Sequence, residues 1–241
     1  MMHLFVFIFS ICIGSFLNVL ICRLPIHEDF VVKRSYCPNC KHELEWCDLI
    51  PILSYILLKG RCRYCKNKIS LMYIFIELLA GCVGVLCYIR YGFRVLSFLH
   101  FLVLAILIVI SIIDMKIMEI PDECNFAIVV LSLIQIFMFN EDLIDHIFYA
   151  FIIVLFIWIL NRIKLSFGGG DMKLFFALGL YFGKYVFLIF ILSVLLGGIY
   201  GIGMLVMKKL NRKSFIPFAP CITMACFIYI FQSRYILALF R

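Results

Sequence analysis

Phe167-Gly168-Gly169-Gly170-Asp171-Met172-Lys173-Leu174 sets three consecutive glycines before a carboxylate and then opens an apolar run that continues to Phe182. A charge in such a setting is expensive and asks for a partner or a function. Glycine admits positive φ and lets a second backbone come close, and Asp171 stands where a helix N-terminus favours negative charge. Taken alone, the stretch is equally an Asp capping a membrane helix after a flexible loop. A second carboxylate, Asp114, and the side of the membrane on which each lies separate the two readings.

The 241 residues are 66% hydrophobic and 15% charged, with a mean hydropathy of +1.13. A soluble domain is roughly half apolar, so this chain has too little polar surface to coat a globule. It reads as an all-α integral membrane protein with about eight transmembrane helices. The apolar runs are Leu4–Ile21, Leu71–Ile89, Val95–Ile113, Cys124–Phe139, His146–Leu160, Met172–Phe182, Tyr185–Met207 and Phe215–Leu239. The first is close to the ~20 residues that a bilayer requires. Only His3 precedes it as a charged or titratable group, and Val19-Leu20-Ile21-Cys22 offers no small-residue cleavage site, which argues for an anchor over a removed signal. Ser15 and Asn18 lie inside this run and either face neighbouring helices or line a site. No fixed-period repeat is legible.

Residues 23–70 form the one sizeable polar segment. It carries Cys37-Pro38-Asn39-Cys40 and Cys62-Arg63-Tyr64-Cys65, two C-x2-C pairs separated by 21 residues. Such pairs bring four thiolates around a tetrahedral zinc ion; disulfides or spare thiols are the alternatives. Cys47 reads as a bystander, and the other cysteines as small hydrophobes. Thiolate zinc implies a reducing compartment, so the expectation is a small cytosolic zinc-binding module between helices 1 and 2. Trp46, Ile50, Pro51, Ile52 and Leu53 are too apolar for a free loop; they pack on the module or lie at the membrane surface. With this segment inside, 17 of the 22 Lys and Arg fall on inside breaks and 5 outside, as the positive-inside rule requires. The N-terminus is then outside, and the net charge of +8 is accounted for without nucleic acid.

Asp114 follows the third run and Asp171 follows the fifth. Two crossings separate them, so both return to the cytosolic face. The run Met172–Phe182 covers only ~16 Å at 1.5 Å per residue, against a ~30 Å hydrocarbon core. Non-helical backbone at that depth needs protein or water around it, which predicts a water-reached notch holding Gly168, Gly169, Gly170 and Asp171. Two carboxylates sharing a proton beside water are what aspartyl proteolysis needs. The glycines would let an extended substrate approach. Asp122, after Pro121 and before a helix, reads as an N-cap. Lys173 either holds the charge of the acid pair or snorkels to the surface. Glu77, inside an apolar run, is either a structural partner for a buried polar group or a site residue. The helix start at Asp171 favours its ionised form and leaves Asp114 as the proton carrier.

Gly14-Ser15-Phe16-Leu17-Asn18-Val19 with Arg23-Leu24-Pro25, the two cysteine pairs, Ile50-Pro51-Ile52-Leu53-Ser54-Tyr55, Gly60-Arg61-Cys62-Arg63, Asp114 with Ile120-Pro121-Asp122, and Gly168 to Leu174 together resemble the type IV prepilin peptidase/N-methyltransferase family, membrane aspartyl proteases of the GxGD type. The resemblance runs from about Gly14 to Pro220. It implies that Asp114 and Asp171 are the catalytic pair; beside them, Gly168, Gly169 and Gly170 read as a substrate-approach loop, and Lys173, Asp122 and Glu77 as supporting residues. It implies cleavage of the basic leader of prepilins or pseudopilins after Gly at the cytosolic face of the bacterial inner membrane. N-methylation of the new N-terminal residue, usually Phe, from S-adenosylmethionine would follow. The implied division is residues 1–92 (first helix, cysteine module and second helix, associated with methylation), 93–214 (endopeptidase membrane domain) and 215–241 (C-terminal membrane helix). One departure falls at Leu71-Met72-Tyr73-Ile74-Phe75-Ile76-Glu77, which lacks the family's Arg-Tyr-Pro but keeps the Glu. The alternatives are a peptidase without methyltransferase activity, and a proton-coupled transporter with a zinc-bound regulatory module, in which the acids would form a proton relay.

Overall fold

The computed structural model describes residues 1–163, 167–206 and 217–239, the side chains being described to residue 232. Lys164, the basic break Lys208–Ser214 and Arg241, which enter the charge count, lie outside the described residues. The described chain is all-helical: α1 (Met2–Arg23), α2 (Leu53–Leu57), α3 (Leu71–Tyr91), α4 (Val95–Ile117), α5 (Asp122–Phe139), α6 (Leu143–Arg162), α7 (Gly169–Phe182), α8 (Val186–Val206) and α9 (Ala219–Leu239). Short 3-10 turns and two isolated β-bridges complete it. Six segments among the described residues are long and apolar enough to cross a membrane. The last of these, Gly169–Val206, contains both α7 and α8, and Ala219–Gln232 is a shorter apolar helix. This is an integral membrane protein.

The chain divides into two compact units, residues 1–101 and 102–241. In the first, α1 and α3 lie antiparallel along a seam of small residues. A Cβ on Gly14 would come within 2.9 Å of Ala80 and of the Glu77 backbone, and one on Gly84 would strike the Ser10 hydroxyl. Lipid offers helices no hydrophobic reason to associate, so close backbone approach through small residues is what joins them. In the chain, the two helices are connected by the cysteine segment. Trp46 (79% exposed), Leu53, Ile56 and Leu57 project from it and are not packed into it.

The second unit is built around α7, whose residues from Leu174 to Phe182 are almost all buried. α5 runs parallel to it: Ser132 Oγ donates to the Ala177 carbonyl at 3.4 Å and Gln135 Nε2 to the Tyr181 carbonyl at 3.3 Å. α6 crosses so closely that a Cβ on Gly179 would lie 2.6 Å from Ala150 Cα. After Phe182 the chain folds back. The rings of Phe175 and Phe190 stand 5.3 Å apart, whereas a continuous helix would separate residues fifteen apart by ~22 Å. Gly183, at φ 55, makes the turn and leaves room for the His146 ring. Two boundaries differ from the sequence reading. Asp114 is not at the end of its helix but inside α4, and α7 begins at Gly169, two residues before Asp171.

The α6–α7 contact predicts that Gly179→Val overpacks against backbone and destabilises the protein by about 1–3 kcal/mol, seen as a lowered unfolding midpoint in detergent.

Candidate aspartyl site and four-cysteine centre

Asp114 is 7% exposed. Its Oδ2 accepts the N–H of Ala219, the first residue of α9, at 2.9 Å, and the Phe218 N–H also donates to this carboxylate. These amides are among the few in a helix that have no partner within it. Asp171 is the third residue of α7, and its Oδ2 accepts the Gly168 N–H at 3.0 Å in a capping arrangement. The two carboxylates lie in one unit, and Asp114 acts electrostatically on Asp171. A chain of contacts joins their settings. The Phe218 ring lies 5.5 Å from that of Phe167, the residue preceding Gly168.

Asn161, which the sequence reading passed over, fixes Phe167. Its Oδ1 accepts the Phe167 N–H at 2.8 Å, and its Nδ2 donates to the Phe167 carbonyl at 3.1 Å. A polar residue at the end of a greasy helix, seven positions before the first glycine, was the available signal.

The glycines do their work differently from the expectation. None takes positive φ: Gly168 is the extended N-cap of α7, and Gly169 and Gly170 form its first turn. Among the described residues, nothing stands against Gly169, and Gly168 has only the Asp171 carboxylate near it. Their contribution is the missing side chain, which leaves the approach to Asp171 uncovered. Gly170 instead packs against Ile120, 3.2 Å from where its Cβ would be.

Asp122 is not an N-cap. Pro121 holds that position, with no side-chain cap, and Asp122 is the first residue of α5. Both of its oxygens accept from Lys173 Nζ at 2.8 Å, on the exposed surface. Because α5 and α7 run parallel in register, their first turns bring these opposite charges together. Lys173 therefore serves this surface pair, and exposed pairs of this kind contribute about 0.2–1 kcal/mol.

Glu77 belongs to the first unit. It is 7% exposed, accepts the Ile52 N–H at 2.8 Å and is hydrogen-bonded to Ser15. Ile52 holds φ 62, a conformation that β-branched residues rarely adopt. Glu77 thus has a structural partner, and it also lines the cavity of this unit.

Cys37, Cys40, Cys62 and Cys65 converge, their sulfurs all within 4.8 Å of one another, and Cys47 stands apart on Glu45 and Arg63. Thiolates at ~2.3 Å from a tetrahedral zinc ion are ~3.8 Å apart, so the cluster fits a metal such as zinc with little movement. Two matching hairpins build it. Cys37 N–H donates to the His42 carbonyl and Cys62 N–H to that of Asn67, both at 2.9 Å. Lys41 and Lys66, each directly after the second cysteine, take φ 59 and 61. The segment is a duplicated knuckle that shares little beyond its cysteines and lysines, so the sequence did not show it as a repeat. Burial pushes the Cys37 thiol up, but the N–H groups of Cys40 and Asn39, with the Cys40 and Cys62 thiols, more than offset this and bring it down to about 7.

Residues 8–91 match the bacterial peptidase A24 N-terminal domain, and residues 101–202 match the type IV leader peptidase family. The chain belongs to the type IV leader peptidase family. Relatives in that family named prepilin leader peptidase/N-methyltransferase occur in Bacillus subtilis (33% identical, covering 90% of this chain and 88% of the relative) and in Aeromonas salmonicida (32%; 92% and 88%). A third, in Vibrio cholerae, is 33% identical over 94% of this chain and 95% of the relative. No solved structure matches. The Asp114 and Asp171 segments both fall within the stretch matched to the leader peptidase family, and the four cysteines fall within the N-terminal domain.

Metal analysis of the purified protein is expected to give one ion per chain, and Cys37→Ser or Cys62→Ser to abolish it. Retention of full metal by either variant would remove the centre.

Proposed function

We propose that this chain is a membrane aspartyl endopeptidase that cleaves the basic leader of type IV prepilins or pseudopilins after Gly, and then N-methylates the new N-terminal residue. The observation that carries the first half is that Asp114 and Asp171 lie within one unit, each accepting an N–H at a helix N-terminus, with the rings of Phe218 and Phe167 packed between their settings and small glycines before Asp171. Like charges so placed share a proton. The ionised carboxylate takes a proton from water, and the resulting hydroxide oxygen attacks the scissile carbonyl carbon. The protonated partner donates a hydrogen bond to the developing oxyanion, and the C–N bond breaks as a proton passes to the leaving amine.

The topology that suits this reading has eight crossings in the bacterial inner membrane, with the N-terminus outside and the cysteine module and both acids on the cytosolic side. The fold-back at Gly183 supports counting α7 and α8 as two crossings, and α9 supplies the eighth. The exposed Trp46, Leu53 and Leu57 fit a module resting at the lipid headgroups. The functional division follows residues 1–92, 93–214 and 215–241, and the limits of the two family matches support its first boundary. Zinc in the four-cysteine centre is structural in this reading, since four protein thiolates close its coordination.

Methylation needs a donor site, and the first unit holds a cavity of about 570 Å³ between the module, α1 and α3. Asn18, Tyr36, Tyr55, Lys68, Tyr73 and Glu77 are among its lining residues. Pockets for ligands of this size span ~300–1,000 Å³. Aromatic faces and a carboxylate suit the sulfonium and adenine of S-adenosylmethionine, and a lysine suits its carboxylate. Bound there, S-adenosylmethionine would supply an activated methyl group to the substrate amine. The chain's own part is to hold the sulfonium with Glu77 and the tyrosines and to exclude water.

Cleavage of a prepilin with a basic leader ending in Gly before Phe tests the first half. Wild type should cut it, while folded, metal-loaded Asp114→Asn and Asp171→Asn should lose at least about a thousandfold in rate. Survival of activity in either variant removes the proposed pair. For the donor site, calorimetric titration of S-adenosylmethionine is expected to weaken at least about tenfold in Glu77→Gln, which keeps the acceptor for Ile52. Unchanged affinity would take the donor out of this cavity.

A further inference from the structure

Asn125 lies on α5 and is 6% exposed. Four buried side-chain polar atoms among the described residues lack a hydrogen-bond partner, and two of them are the Nδ2 and Oδ1 of this one amide. Gln135, the nearest comparison on the same helix, uses its Nε2 and leaves only Oε1 unpaired. In a membrane-embedded helix seam an unmet amide is costly, because no lipid group can replace the missing bonds.

Its level along the helix is fixed by the register of α5 and α7. Ser132 meets Ala177, and Gln135 meets Tyr181. Seven residues back from Ser132, two turns along the same face, is Asn125; seven back from Ala177 is Gly170. Ile120 against Gly170 and Asp122 against Lys173 show that the first turns of the two helices lie at the same end of the pair. Asn125, in the first turn of α5 and on the stripe that carries Ser132 towards α7, therefore stands within about one to two turns of the first turn of α7, which holds Gly170 and Asp171. Of the other two atoms without partners, the one on Gln135 lies ten residues further along α5 and the one on Arg90 belongs to the first unit.

A peptide bond can be attacked only where its chain is unwound. The unwound stretch then presents its own unpaired N–H and C=O at membrane depth, and these must be met. A side-chain amide offers the complementary set, one NH₂ donor and one carbonyl acceptor on a single plane. We propose that Asn125 is a substrate-binding residue. On this reading the seam between α5 and α7 opens at the level of Asp171, and Asn125 pairs with the main chain of the substrate beside the scissile bond, Nδ2 donating to a carbonyl and Oδ1 accepting an N–H. This inference rests on the peptidase reading above.

The test is Asn125→Leu, which has nearly the same shape and no polar atoms, made in the full-length protein and compared with wild type and Asp171→Asn. Replacing an unpaired buried amide by an apolar group should hold or raise the unfolding midpoint. Cleavage should fall about tenfold to a hundredfold in kcat/KM, with S-adenosylmethionine affinity unchanged. Wild-type cleavage in a variant of equal or greater stability would overturn the proposal, because the amide would then be a mere packing residue. A lowered midpoint in both Asn125→Leu and Asn125→Ala would overturn it as well, by revealing a structural partner.

A second measurement varies the substrate. Ester substitution of the amides flanking the scissile bond deletes one N–H at a time, and one position should cost wild type about tenfold. That penalty should vanish in Asn125→Leu, and the absence of any sensitive position would overturn the proposal. If wild type itself cut no prepilin, the peptidase reading would fail before Asn125 was tested.

Discussion

A carboxylate sunk in a membrane-spanning helix must be met by hydrogen bonds, and the Asp114–Ala219 contact is the one on which the second unit depends. Lipid supplies no donors, and helix interiors have used theirs. The free N–H groups in such a bundle are those of helix first turns. Asp114 takes them from α9, 105 residues further along the chain, so α4 and α9 are fixed to each other at that depth. Phe218 then presents its ring to Phe167, and Asn161 holds the Phe167 backbone on both sides. The glycine stretch is thereby positioned by its neighbours rather than by its own sequence.

The long apolar runs made the helices legible, because lipid leaves the backbone little choice but to pair within each segment. The four cysteines were legible for a similar reason, since thiolates at that spacing have one common use. What the sequence did not show came from contacts across it. Asp171 was expected to differ from Asp114 by owning a helix N-terminus, yet Asp114 has one too, lent by α9. Asp122 had the composition of a cap but faces a lysine 51 residues away, through the parallel register of α5 and α7. The glycines pointed to unusual backbone dihedrals, whereas the structure uses their small size. Asn161 and Asn125 carry no motif, and only their surroundings distinguish them.

Asp114 and Asp171 in one unit each meet an amide at a helix N-terminus, while Glu77 in the other unit meets a loop amide. Its oxygen meets an amide of the polar segment, on a residue held at positive φ. The small residues of the α1–α3 seam bring that part of α3 close to Ser15, and the hydrogen bond from Ile52 ties the loop between the hairpins to the helix pair. The sequence left two roles open for Glu77; the structural partner sits 25 residues upstream, and the carboxylate also lines the cavity.

The duplicated knuckle also bears on how α1 and α3 find each other. Their connection runs from residue 24 to residue 70, a long tether for two helices that must align in lipid. Closing a flexible loop costs only about 0.6 kcal/mol more for each doubling of its length. An ion joining the two hairpins would shorten the free tether to less than half, and so would favour the pairing by roughly that amount. This is smaller than what a single overpacked glycine in the α1–α3 seam would cost, about 1–3 kcal/mol. Stripping the metal would therefore leave the helix pair together and loosen only the walls of the cavity above it.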